Sequence, residues 1–376
     1  MPEINDIYPI FTYSLSAILI VMSFALFTVT IPENRGLHNY RIARRAIAIA
    51  YLILAIMKIA EYEFAYEAGS DLDIASYRSI GLPIAILQAL LFNYAHITLI
   101  NIHFFTRRRL LRECSIVAGF ILACAVAYIL LPEQLFDYGF YLLSIGYVLL
   151  MWRYIRIFRN EYSRFTSQMD NYFSGTEAER LKWIQSSYYI LMSIGGGALL
   201  SCIFPRFGVD LVFTLSWLIY YVIFAVQVIN YAFLYQIVEK VLDSDDTPKV
   251  SQLPPQGNAA TQQTATAKHI ESKLNLWLDK KQYLQSGITL EDVAVYIGTN
   301  NKYLSRHINQ TMNRTFREWI NRLRIEEAKR LLLDCPDMNI NEIASQTGFA
   351  GKSHFSQQFR AITSLSPSDW RKQGKK

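Results

Sequence analysis

Seven apolar stretches constrain this chain more than any other feature. They lie at about 8–31, 46–64, 80–103, 114–131, 140–158, 184–204 and 211–235. Each is close to the roughly 20 residues a helix needs to cross a hydrocarbon core. The first run is too long for a secretory leader and follows the acidic MPEIND rather than a cationic segment, so it is expected to stay in the mature chain. Such runs could instead be core helices of a soluble protein, but the charges between them argue for a bilayer.

Lys and Arg collect in alternate loops. Arg35, Arg41, Arg44 and Arg45 precede the second run, and Arg107, Arg108, Arg109 and Arg112 follow the third. Arg153, Arg156, Arg159, Arg164, Arg180 and Lys182 surround the longest loop. The intervening loops hold only Arg78 and Arg206, and one of them is acidic, with Glu61, Glu63, Glu67, Asp71 and Asp73. Positive charge is retained on the cytoplasmic side, which predicts an N-terminus outside and, after seven crossings, a C-terminus inside.

Polar residues within the runs carry two readings. Lys58 and Glu61 are three apart on a helix and can pair. Asn93, His96 and Asn101 in the third run, with Gln227 and Asn230 in the seventh, could line a polar intramembrane site for a ligand or proton, or hydrogen-bond between helices. Gly195, Gly196 and Gly197 fit close helix packing. Nowhere do a nucleophile, a base and an orienting group stand at readable spacing, so no catalytic site is expected. Cys114, Cys124, Cys202 and Cys335 are scattered without a CxxC or Cys/His pattern, which points to neither a disulfide framework nor a metal site, and no cofactor is implied.

The end of the chain differs in kind. Residues 1–242 hold 18 Lys and Arg against 17 Asp and Glu, whereas residues 268–376 hold 18 against 11. The basic excess therefore lies in the last third and points to a polyanionic partner there. Between the two, residues 243–267 lack aromatics and are rich in Pro, Gln, Thr and Ala, as a disordered linker would be.

Within 268–376 a unit is duplicated. EDVAVYIGT at 291–299 matches NEIASQTGF at 341–349, pairing Ala294 and Gly298 with Ala344 and Gly348. LSRHINQTMNRTFREW at 304–319 then matches FSQQFRAITSLSPSDW at 355–370. Each copy opens on a capping box, Thr289 with Asp292 and Asn339 with Glu342. A glycine then supplies the turn, and a second helix follows, with Leu304 and Ile308 or Phe355 and Phe359 facing a core. That leaves Lys302, Ser305, Arg306 and Asn309 exposed in one copy and Lys352, Ser353, Ser356, Gln357 and Arg360 in the other. Such a helix-turn-helix can present donors to base edges in a major groove. Further capping boxes, Thr315 to Glu318 and Ser366 to Asp369, start a third helix in each copy. The first of these, 315–333, places Phe316, Trp319, Ile320, Leu323, Ala328, Leu331 and Leu332 on a core stripe. It would be about 28 Å long, near the roughly 34 Å of one DNA turn.

At these residues the tail resembles the DNA-binding domain of the AraC family of bacterial transcription regulators. The resemblance implies two helix-turn-helix units joined by a long helix, with base contacts from Lys302, Ser305 and Arg306 and from Lys352, Ser353, Ser356 and Gln357. Asn313 and Ser364 stand where the family usually has Gly. The expectation is an all-α chain in three parts: a seven-span membrane domain at 1–242, the linker, and an AraC-type domain at 268–376. It would be a transcription regulator of the bacterial inner membrane, with double-stranded promoter DNA and the lipid bilayer as partners. A small-molecule or membrane signal, a second copy of the chain and RNA polymerase are the further partners of that reading. The alternative is a membrane transporter or enzyme whose helical tail is an accessory regulatory or protein-binding domain.

Overall fold

The computed structural model describes residues 4–30, 37–65, 74–104, 106–204, 207–246 and 271–374. The chain is helical, with no strand among the described residues beyond a single antiparallel bridge between Phe173 and Thr289. It divides into two compact units, Met1–Ser163 with Trp183–Glu239, and Arg164–Lys182 with Lys240–Lys376.

The first unit contains α1 (Ile4–Thr28), α2 (His38–Ala65), α3 (Ile74–Ile100), α4 (Arg107–Leu130) and most of α5 (Glu133–Tyr172), α7 (Lys182–Ile203) and α8 (Phe207–Asp246). Six helices, α1, α3, α4, α5, α7 and α8, are long and apolar enough to cross a membrane. The run expected as a seventh forms α2, which falls short by that measure. Every 18-residue stretch of α2 carries at least three charged side chains. Two of these charges cancel locally, since Lys58 Nζ lies 2.9 Å from Glu61 Oε2 and both residues are buried.

Tyrosine hydroxyls do much of the interhelical bonding here. A phenol carried into an apolar interior must find an acceptor, and a helix carbonyl has a second lone pair to offer. Tyr40 donates to the carbonyl of Val228 at 2.7 Å, Tyr51 to that of Tyr221 at 2.6 Å, Tyr231 to that of Leu99 at 2.9 Å and Tyr147 to that of Gly195 at 3.1 Å. Two of the three consecutive glycines admit close packing. A methyl at Gly195 would meet Met151 Cε at 2.8 Å and one at Gly197 would meet Phe213 Cδ2 at 3.0 Å, whereas Gly196 has open space. Ion pairs close the bundle where α4 and α5 meet, with Arg153 Nη1 2.6 Å from Glu113 Oε2, and where α3 meets α5, with Arg78 Nη1 2.6 Å from Asp137 Oδ1.

The second unit holds the end of α5, the short α6 (Glu177–Arg180), a helix α9 over 271–279, and five further helices. These are α10 (Leu290–Ile297), α11 (Asn301–Met312), α12 (Phe316–Asp334), α13 (Ile340–Gln346) and α14 (Lys352–Thr363), closed by a sixth, α15 (Pro367–Gln373). Of the linker read at 243–267, the first four residues continue α8 and the remainder lies outside the described residues.

Candidate nucleic-acid interface

The first helix and turn of the two repeat copies fold alike, down to their hydrogen bonds. Thr289 and Asn339 cap α10 and α13 with reciprocal boxes to Asp292 and Glu342. Each helix then ends on a left-handed glycine, Gly298 at φ 81° and Gly348 at φ 78°. The next amide in each copy returns to the alanine that the two copies share: Thr299 N–H to the Ala294 carbonyl and Phe349 N–H to the Ala344 carbonyl, both at 2.9 Å. This five-back bond satisfies a carbonyl that the helix end would leave bare and fixes the angle at which the second helix departs.

Those second helices, α11 and α14, point one face inward and one outward. Leu304 and Ile308, and Phe355 and Phe359, are fully buried. On the outer faces Lys302, Arg306, Asn309, Lys352, Ser353, Gln357 and Arg360 are exposed, while Ser305 and Ser356 are half-buried. Both helices end left-handed on a residue other than glycine, Asn313 at φ 49° and Ser364 at φ 64°. A left-handed L-residue costs about 1–2 kcal/mol, and Asn bears it better than Ser. Ser364→Gly is therefore expected to stabilise α14 and α15 by about 1 kcal/mol, and Asn313→Gly to do less. Hydrogen exchange of the amides of those helices reads the difference, and equal protection in Ser364→Gly and the parent would show that the turn carries no such strain.

Between the copies runs α12. Its capping box, Thr315 with Glu318, is complete. That of α15 is not, because Asp369 accepts from the Ser366 hydroxyl at 2.5 Å rather than from the backbone. The stripe read from sequence needs correction: Phe316, Trp319, Ile320, Ala328 and Leu332 are buried, but Leu323 and Leu331 are only half-buried, and Asn321, Arg324 and Ile325 are inside. Arg324 Nε and Nη2 donate to the carbonyls of Tyr283 and Gln285 at 2.8 and 2.7 Å, and its guanidinium lies 5.8 Å from the Phe349 ring. Burial pushes its pKa down to about 10, so it remains a cation at neutral pH. His354 on α14 is buried against Phe349. Burial, and then the nearby Arg317, hold its pKa below the usual imidazole value.

Residues 164–182 belong to this same unit. Met169, Tyr172, Phe173 and Ser174 are buried. Tyr172 Oη donates to Glu291 Oε2 at 2.5 Å and Ser174 Oγ to the Ile288 carbonyl at 2.6 Å, on either side of the Phe173–Thr289 bridge. Arg317 forks between Asp170 Oδ1 at 3.0 Å and Glu179 Oε1 at 3.1 Å. Nothing in the sequence marked this docking, because its two partners lie more than 100 residues apart.

Of the polar residues in the apolar runs, Asn93 and His96 share Tyr188, whose ring lies 5.5 Å from the imidazole. Asn93 accepts from Tyr188 Oη at 2.8 Å. His96 lies 2.8 Å from the Phe92 carbonyl and 3.0 Å from Ser187 Oγ. Asn101 pairs with Glu161 at 2.9 Å, while Gln227 is half-buried and Asn230 exposed. A cavity of about 40 Å³ in that unit lies elsewhere, beside Lys58, Glu61, Gln88 and Ser201. Among the described residues no group of His, Cys, Asp and Glu could hold a metal ion.

Paired turns, outward polar faces and a connecting helix define a double helix-turn-helix domain. Residues 293–373 match the family described as "Helix-turn-helix domain", and the C-terminal domain is of the AraC type. Over 88 residues the chain is 36% identical to the uncharacterized HTH-type transcriptional regulator YijO of Escherichia coli (strain K12), covering 23% of this chain and 31% of that protein. Over 92 residues it is 30% identical to the uncharacterized HTH-type transcriptional regulator YisR of Bacillus subtilis (strain 168), covering 24% and 32%. The chain thus spans about a third of the length of these relatives. Among solved structures, the C-terminal domain of AraT, a response regulator from Geobacillus stearothermophilus, is 29% identical, with 33% of this chain and 88% of that one covered and a TM-score of 0.24. The sequence match, not the superposition, carries the assignment.

Proposed function

We propose that the chain is a membrane-tethered transcription regulator whose double helix-turn-helix domain binds promoter DNA under the control of its membrane helices. The observation that carries this is the equivalence of the two units. Each aims an exposed polar helix face outward from a turn of the same geometry, as base reading in two major grooves requires. In this reading residues 1–242 form the membrane part, 243–267 the tether and 268–376 the DNA-binding domain, and Lys302, Ser305, Arg306, Asn309, Lys352, Ser353, Ser356, Gln357 and Arg360 face the DNA.

The helix α2 counts as a seventh crossing. From 46 to 60 its exposed positions are Ala46, Ile49, Leu52, Ile56 and Ala60, an apolar face suited to lipid, while Lys58 and Glu61 turn inward. In this reading seven crossings, with the arginine-rich loops, favour a cytoplasmic C-terminal domain, where the DNA is; six would leave both ends on one side.

The test is a footprint of the detergent-solubilised full chain on DNA selected from random sequence. Two protected major-groove patches about 10 base pairs apart are expected. Arg306→Ala and Gln357→Ala should each weaken binding roughly 10- to 100-fold, each at a different patch. Binding that depends on salt but not on sequence would reject base reading.

A further inference from the structure

We infer that the helix-turn-helix domain carries a docking surface for segment 164–182 of its own chain, and that the docked segment keeps DNA from the first reading helix while leaving the second free. The inference rests on the DNA-binding reading above. Lys302, Ser305, Arg306 and Asn309, the outward face of α11, line a cavity of about 470 Å³. The lining also takes in Gln168, Asn171 and Tyr172 at the end of α5, together with Val241 of α8. A reading helix sits in a groove about 12 Å wide and some 8.5 Å deep, with a sugar–phosphate wall rising on either side. Protein standing across a gap of this volume occupies the place of such a wall.

The segment also takes over a cation. Arg317 is the second residue of α12, beside its N-cap, and a helix N-terminus with an adjacent guanidinium is suited to a DNA phosphate. Asp170 and Glu179 hold that guanidinium instead, and its side chain is only 14% exposed. Two carboxylates thus stand where phosphate charge would come. Lys352, Ser353, Gln357 and Arg360 on α14 are as exposed as Lys302, Arg306 and Asn309, but the cavity lining includes none of them.

Docked and DNA-bound forms are then alternatives, and whatever shifts one shifts the other by the same factor. The segment is continuous with α5 before it and α7 after it. A change in how those two helices pack therefore reaches the DNA-binding domain through the chain itself, without need of the 243–267 tether.

Two alterations of the full chain in lipid nanodiscs test this, with affinity for the selected DNA measured at fixed salt. Asp170→Asn with Glu179→Gln removes the carboxylate charges and should tighten binding about tenfold. Phe173→Cys with Thr289→Cys places two thiols at directly opposed bridge positions, where a disulfide can form. The oxidised form should bind about tenfold more weakly, protect only the patch read by α14, and regain both patches when dithiothreitol is added. A chain with only one of the two substitutions should show no response to reductant. If the oxidised chain binds as tightly as the reduced one and protects both patches, the docking inference is overturned while DNA reading stands. If no form, undocked or reduced, binds DNA with sequence preference, both are overturned.

Discussion

Alanine at position 348 is expected to unfold the second helix-turn-helix unit and abolish protection of its DNA patch. The backbone there is left-handed, at φ 78°, which alone costs a β-carbon about 1–2 kcal/mol. The larger cost is contact. A methyl at this position would lie 2.4 Å from the Leu284 carbonyl oxygen and 2.9 Å from its carbon, with Arg324 Nε at 3.1 Å. The obstacle is backbone that Arg324 itself pins, so it cannot step aside as a side-chain tip would. Overpacking of this kind adds about 1–3 kcal/mol or more, and the total approaches the stability of a small domain. Gly298 provides the control. Its φ of 81° is the same within a few degrees, yet a methyl there meets nothing within 4 Å, so Gly298→Ala should cost only about 1–2 kcal/mol. Hydrogen exchange of the α10 and α13 amides compares the two, and equal losses would refute the contact argument.

Replacing Arg324 by methionine should cost about 2–6 kcal/mol, at about 1–3 kcal/mol for each of the two carbonyls left without a donor. The methionine would fill much of the volume but leave the Tyr283 and Gln285 carbonyls without their donors. Arg324→Lys should restore little, because one ammonium cannot span two carbonyls met by a planar fork. The loss should appear first in the 282–285 turn and spread to Phe349, since Arg324 contacts both. Protection confined to pre-substitution values in that turn would show that the guanidinium is dispensable.

What the sequence disclosed, and what it hid, follows from the range of the interactions. The capping boxes at Thr289, Thr315 and Asn339, the left-handed glycine turns and the buried pairs Leu304/Ile308 and Phe355/Phe359 are set within a few residues and could be read directly, whereas the box read at Ser366 is incomplete. The stripe of α12 misled because a helix packed between two units is buried on more than one side. Position 324 then faces inward whatever its polarity, and arginine serves there because the 282–285 turn offers it two carbonyls. In the first unit Asn93, His96 and Asn101 do bond between helices, but so do tyrosines, whose acceptor carbonyls on other helices no local pattern marks. The partner of residues 164–182 was invisible for the same reason: no local pattern announces a contact made across more than 100 positions.

The helix α5 runs unbroken for 40 residues, about 60 Å at the usual rise, and contains neither proline nor glycine after Gly146. With side chains reaching some 5–6 Å from the axis, a turn of the helix by about 20° at Asp170 would sweep that side chain through about 2 Å. For Asp170, 3.0 Å from Arg317, that is the difference between holding a guanidinium and releasing it.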